Sequence, residues 1–187
     1  MAIEPVPGMR TKVSDGPEGL SFIVPAPRQI FAMLFLPLWL TGWVFGEFFA
    51  LRTLVTEKGP AQAFLVIWLT GWTIGGAFAI FTWFWMLSGR ERIVLKPGVL
   101  AHRYELFGLS VGREYDLSQA RNLRVSPLPA FSGNGRGGLR TWGLGGGVMA
   151  FDYGAKTIRM GGSLDEAEGN MIVKKIQERY SISSTTS

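Results

Sequence analysis

The chain has no cysteine and a single histidine, His102. Disulfides, iron–sulfur ligation and thiolate nucleophiles are thereby excluded, and a histidine-built zinc site has too few ligands. One histidine on a strand-like run reads as a surface or half-buried residue rather than a ligand. Charge is also sparse: charged residues are 18% of the 187, against 47% hydrophobic. No nucleophile elbow, paired acid/base set or lysine-bearing phosphate loop occurs, so the sequence points away from an enzyme and calls for no metal or resident cofactor. Gly133-Asn-Gly135-Arg-Gly-Gly138 satisfies a dinucleotide-binding spacing. No helix follows it to receive a pyrophosphate, so the match is discarded.

What the chain does have is apolar length. Ile30–Leu51 and Ala61–Leu87 are almost uninterrupted hydrophobic runs. At about 1.5 Å per residue, the first reaches about 33 Å, enough to cross a bilayer's hydrocarbon core, and the second crosses with some tilt. The first starts too late, is too long and lacks a small-residue cleavage site, so it reads as an anchor and not a signal peptide. Pro60 suits the first turn of the second helix, where a missing N–H costs nothing. Basic residues flank the pair (Arg10, Lys12 and Arg28 before; Arg90, Arg92, Lys96 and Arg103 after), whereas the connection has only Arg52 and Lys58. That bias predicts a multi-pass protein of the cytoplasmic (inner) membrane with both termini cytoplasmic.

The two runs repeat each other. Leu38-Trp-Leu-Thr-Gly-Trp-Val-Phe-Gly46 matches Ile67-Trp-Leu-Thr-Gly-Trp-Thr-Ile-Gly75. Gly42/Gly46 and Gly71/Gly75 are small residues four apart, a spacing that lets helix backbones approach closely, and Ala79 extends the second stripe. They are expected to pack the two helices together or to face a partner. Trp39, Trp43, Trp68 and Trp72 lie near mid-membrane, where their indole N–H groups need a hydroxyl, a carbonyl, a partner helix or a bound lipid or pigment. Thr41 and Thr70 are candidate hydroxyls. Trp83 and Trp85 fall where an aromatic belt belongs. Glu47 is the single acid inside a run and is expected to snorkel toward Arg52.

Net charge is +5, and Ser88 onward carries all of it, with 14 Lys or Arg against 9 Asp or Glu. These residues are scattered without a recognition motif, which excludes nucleic acid and fits anionic lipid headgroups. Alternating runs predict strands at Glu91–Leu95, Val99–Leu106, Val111–Leu117, Arg121–Val125, Val148–Tyr153 and Lys156–Met160. Lys96-Pro-Gly98, Gly108 and Gly154 mark turns. Ser163 and Glu166 form a capping box for a helix to about Tyr180, with Leu164, Ala167, Met171 and Ile176 on one face. Residues 126–147 form a long Gly- and Pro-rich loop, in which Arg136, Arg140 and Trp142 are candidate contacts for lipid or a partner.

The expected architecture is a membrane α-helical hairpin plus an α+β soluble domain, a bent antiparallel sheet closed by a C-terminal helix. Residues 1–29 are expected as a cytoplasmic tail, 30–87 as the hairpin (30–51 and 61–87), 88–180 as the domain and 181–187 as a second tail. The two Trp-Leu-Thr-Gly-Trp segments, Gly89-Arg-Glu-Arg-Ile93, Arg103-Tyr-Glu-Leu-Phe-Gly108, Glu114-Tyr-Asp116 and Arg121-Asn-Leu-Arg124 together resemble bacterial membrane proteins with a pleckstrin-homology-like domain after two spans. In layout alone the chain is similar to photosystem I assembly factors with two N-terminal helices. Both resemblances imply a non-catalytic accessory or assembly role beside other integral membrane subunits, photosynthetic complexes among them. A membrane-anchored module reading anionic headgroups or a cytoplasmic partner is the alternative.

Overall fold

The computed structural model describes residues 10–17, 19–126, 146–180 and 182. The chain divides into two compact units, one spanning residues 28–87 and one assembled from the chain on both sides of it.

The helical unit is a hairpin of α1 (Ile30–Thr56) and α2 (Pro60–Ser88). The helices run about 40 Å and about 43 Å by rise per residue. Both outlast the expected spans, because nothing in Arg52–Thr56 breaks a helix, and only Glu57–Gly59 separates them. Pro60 opens α2, where its ring pre-sets the backbone angle. Pro37 sits inside α1 and has no N–H to give the carbonyl four residues earlier, that of Met33. The indole Nε1 of Trp83 on α2 donates to that carbonyl at 3.0 Å. Trp83 therefore repairs a proline defect across the hairpin, a role its position in an aromatic belt does not suggest.

The second unit is built from sheets. Strands β1 (Lys12–Gly16), β2 (Gly19–Pro25), β3 (Arg90–Lys96), β4 (Val99–Leu106) and β5 (Leu109–Asp116) form an antiparallel sheet in that order. Strands β6 (Ala120–Val125), β7 (Met149–Tyr153) and β8 (Lys156–Met160) form a second, three-stranded sheet, and helix α3 (Glu166–Arg179) follows.

Residues 12–25, expected as part of a tail, are thus two strands of the domain. The sequence carried the signal: Gly19–Pro25 alternates, with Leu20, Phe22 and Val24 buried and Ser21 and Ile23 less so. Lying ahead of a long apolar run, it reads as a flank. The expected domain of 88–180 lacks these three core residues, and a fragment starting at Arg90 would leave β3 with an open edge.

Register explains the core. Leu20, Leu95 and Leu100 lie on one rung, as do Phe22, Ile93 and His102. The next rung is Val24, Glu91 and Tyr104, where apolar residues give way to a buried acid. Lys96-Pro97-Gly98-Val99 turns β3 into β4, with Gly98 at φ 82° as a type II turn requires. Leu123, Phe151, Met160, Ile172 and Ile176 close the core from the second sheet and α3.

Helix α3 starts later than its expected capping box at Ser163 and Glu166. Asp165 is the cap, accepting from the Glu168 N–H at 2.7 Å, while the Glu168 carboxylate accepts from the Arg10 N–H at 2.9 Å, so the cap lies two residues beyond Ser163. Its buried face is Gly169, Ile172, Val173 and Ile176; Met171, expected inside, is 45% exposed. Gly169 hides this face from a hydrophobicity count. A Cβ there would meet Val148 Cγ1 at 3.0 Å, so the glycine permits the helix to lie close to that side chain.

Candidate functional site

The repeat residues come together on the hairpin, but not as a symmetric glycine seam. Trp43 of α1 lies against Gly76 of α2, so closely that a Cβ on Gly76 would collide with the indole. Trp72 of α2 lies 3.6 Å from the position a Cβ would take on Gly46 of α1. In the repeat, Gly46 corresponds to Gly75, yet the tryptophan on the facing helix rests on Gly76. One residue is about 100° of helix rotation. That offset turns Gly71 and Gly75 away from α1, and neither, nor Gly42, has any atom within 4 Å of an added Cβ. Of the four stripe glycines, only Gly46 meets the facing helix.

Gly71 and Gly75, with Ile67, line an open groove of about 480 Å³ walled by Trp39, Trp43, Trp68 and Trp72. The indoles order one another: Trp68 stacks on Trp72 at 4.7 Å between centroids, and Trp43 stacks on Trp72 at 6.5 Å. Trp43 Nε1 donates to the Trp72 carbonyl at 3.3 Å. The indole N–H of Trp72 is shielded from solvent and has no hydrogen-bond partner. The Thr41 and Thr70 hydroxyls donate to the carbonyls of Pro37 and Val66 in their own helices at 2.9 and 2.8 Å, and neither oxygen accepts from the Trp72 indole. Glu47 turns to the facing helix instead of to Arg52. Its Oε1 accepts from Thr73 Oγ1 at 2.6 Å, and its shielded Oε2 has no partner. Arg52 lies over the Phe48 ring, 5.7 Å from the centroid.

The sheet unit holds two further polar clusters. Glu91 is buried and accepts from Gly161 N at 2.7 Å and Gly162 N at 2.9 Å, and it bonds His102 Nε2 at 2.6 Å. It pins the turn after β8 to the five-stranded sheet, and His102 is part of that pin. Burial, followed by the neighbouring Glu91 charge, pushes the Tyr104 phenol up and keeps it neutral. Sequence reading passed over Glu91, although an acid at the core-facing position of Glu91-x-Ile93-x-Leu95 was available as a signal.

Asp152 lies beside a polar hollow of about 350 Å³ lined by Ser118, Gln119, Arg121 and Gly154. Its carboxylate accepts from Arg124 at 2.9 and 3.2 Å, Asn122 at 3.0 Å and Thr157 at 2.8 Å. Arg124 first, then Thr157 and Asn122, pull its pKa down to about 2. A register shift between Arg121 and Arg124, with Asn122 at φ 54°, aims the asparagine at this carboxylate. Asp116 is likewise held low by Ser118. Both Asp152 and Glu91 are saturated by their own chain, which leaves them little capacity to move a proton or hold a cation.

Arg136, Arg140 and Trp142 lie outside the described residues. Among the described residues, no group of three or more His, Cys, Asp or Glu is placed to hold a metal ion. Among the described residues, two helices are long and apolar enough to cross a membrane. Comparison with family models, curated proteins and solved structures finds no match to this chain.

Proposed function

We propose that this chain is a non-catalytic accessory or assembly subunit of a multi-subunit complex in the cytoplasmic membrane. Its two helices span the bilayer, and the groove over Gly71 and Gly75 receives a transmembrane helix of another subunit. The observation that carries this reading is the groove itself, with small residues at its floor and ordered indoles at its walls. In lipid, where hydrophobicity does not drive helices together, close backbone approach and interhelical hydrogen bonds do so.

Spanning is supported by exposure. None of the most apolar window of α1 is buried and only 11% of that of α2, whereas a soluble core helix would be mostly covered. Pairing of β2 with β3, which flank the hairpin, supports placing both flanks on one face of the membrane, as the basic residues do. The pleckstrin-homology-like plan belongs to the same proposal. Two antiparallel sheets and a terminal helix are its ingredients, and such a domain would meet cytoplasmic subunits. Saturation of Glu91 and Asp152 favours binding over catalysis.

The test is mild-detergent extraction of native membranes with the tagged full chain, reading its companions by mass spectrometry and absorption spectrum. Gly71→Leu with Gly75→Leu fills the groove from positions where an added Cβ meets nothing within 4 Å, so defined companions should be lost while the hairpin persists. Wild-type protein emerging with lipid alone would overturn the subunit reading and favour the headgroup-binding module.

A further inference from the structure

Strand pairing defines an end of the five-stranded sheet with unusual chemistry. Pro25, Arg90, Glu105 and Ser110 form one rung across β2 to β5. One step further, Ala26 N donates to Gly89 O at 3.0 Å, and Leu106 pairs with Leu109. At this end the chain passes to α1 from β2 and returns from α2, which stops at Ser88. By connectivity alone, therefore, the β4–β5 turn at Phe107-Gly108 shares the end of the sheet that leads into the apolar helices. It lies only about two strand spacings of about 4.8 Å from where α2 hands over to β3.

That turn is apolar and exposed. Phe107 is 64% exposed, and Leu109 and Val111 are each 76% exposed. Phe107 also takes φ 49°, beside Gly108 at φ 85°. A two-residue hairpin turn of this kind wants Asn or Asp at its first position, and a phenylalanine there is strained. Polarity is graded along one face. Leu106 and Leu109 come first, then the Tyr104–Val111 pair, then Arg113 opposite His102. An apolar tip with a tyrosine and an arginine behind it is the order of chemistries met when leaving a bilayer for water.

We propose that the β4–β5 turn is a wedge that dips into the headgroup–acyl boundary of the bilayer, with Leu106, Phe107, Leu109 and Val111 in the apolar layer and Tyr104 and Arg113 at its rim. This rests on the reading of α1 and α2 as membrane spans. It gives the sheet unit a contact with lipid in addition to its tethers. Edge-to-edge pairing of β5 with a second copy would equally cover Leu109 and Val111, but it gives no reason for the polarity gradient or for a strained Phe107 at the tip.

Because the chain has no cysteine, single cysteines can be placed at will. Leu109→Cys and, separately, Val111→Cys in the full chain are labelled with an environment-sensitive fluorophore. The protein is reconstituted in phosphatidylcholine–phosphatidylglycerol vesicles without brominated lipid, with lipid brominated near the headgroup, or with lipid brominated deep in the acyl chain, which serves position 45. Phe45→Cys in α1 and Lys156→Cys at the start of β8 are the apolar and aqueous references. The wedge predicts blue-shifted emission at position 109 and a loss of about twofold with brominated lipid, as for a side chain about 5–10 Å below the surface. Position 111 should respond less and position 156 not at all. Emission at position 109 like that at 156 overturns the wedge. A blue shift without bromine quenching also overturns it, in favour of a protein partner or second copy. If position 45 is not quenched either, the spans fall and the wedge with them; quenching at 45 but not at 109 removes the wedge alone.

Discussion

The two units solve the problem of buried polar atoms differently. In the sheet unit, Glu91 is withdrawn from water with three partners, and Asp152 has four hydrogen bonds from three side chains. In the hairpin, Glu47 Oε2 and Trp72 Nε1 are shielded and left without partners, while Phe31, Leu34 and Ile67 are each more than 70% exposed. An unpaired buried polar group costs about 1–3 kcal/mol, and exposed apolar side chains do not persist in water. The sheet unit satisfies most of its buried polar atoms; the hairpin leaves Glu47 Oε2 and Trp72 Nε1 unsatisfied and its large apolar side chains uncovered. Thr11, whose shielded hydroxyl lacks a partner, is an exception within the sheet unit.

The strongest way to break that contrast is to unmake the pin. Glu91→Ala strands two backbone N–H groups and His102 in the interior, and should cost the sheet unit about 3–5 kcal/mol, as removal of one partner from a buried charged network does. Hydrogen–deuterium exchange should rise through β7, β8 and the turn at Gly161, with the hairpin peptides unchanged. Equal loosening of both units would mean that they are not separately stabilised.

The hairpin offers the next largest effect. Gly76→Leu drives a side chain into the Trp43 indole and should cost about 1–3 kcal/mol of helix pairing, as overpacking does. Gly71→Leu, facing the open groove, should cost almost nothing. Disulfide formation between Glu47→Cys and Thr73→Cys reports the pairing. Loss with Gly71→Leu, or persistence with Gly76→Leu, would reverse the assignment of inner and outer glycines.

How much of this was legible turns on which signal each residue carries. The apolar runs, Pro60, the turn at Pro97-Gly98 and six strands follow from periodicity and turn chemistry, because those are local properties. The repeat singles out tryptophans and glycines of the hairpin, but it could not tell which glycines face inward: of the four, only Gly46 meets the facing helix. A one-residue offset between two packed helices leaves no trace in either helix's sequence. Strands β1 and β2 were missed because a strand ahead of a hydrophobic run looks like a flank until its partner, about 70 residues later in the chain, is known. In sequence Trp83 reads as a belt residue, because the defect it repairs belongs to Pro37, on the other helix.

Acid sharpens the contrast within the sheet unit. The Asp152 carboxyl titrates near 2 in the folded chain, below its ordinary value, so its contribution is complete above about pH 4 and is lost as pH falls through about 2. Discounted for its partial exposure, that contribution is on the order of 1 kcal/mol. Asp152→Asn should lower stability at neutral pH by that amount and flatten the acid limb. A limb unchanged by the substitution would assign the acid sensitivity elsewhere.

The smallest effect tests the proline repair. Trp83→Phe removes one hydrogen bond and should weaken the hairpin by about 0.5–1.5 kcal/mol. In Pro37→Ala, the restored N–H serves the Met33 carbonyl, so the same Trp83→Phe change should cost measurably less. Additive costs would show that the indole acts by packing alone.

The interrupted sheet also dictates an order of events during synthesis. β1 and β2 leave the ribosome first, and an isolated two-stranded hairpin is marginal in water. Their partner β3 is not made until both helices have been translated, a wait of several seconds at about 5–20 residues per second. Pairing β2 with β3 then requires the two helices to have brought the chain back beside β2. On the proposed spanning of both helices, closure of the sheet works as a proofreading step: a molecule whose second helix fails to insert would keep an unfinished strand edge, visible to quality-control proteases.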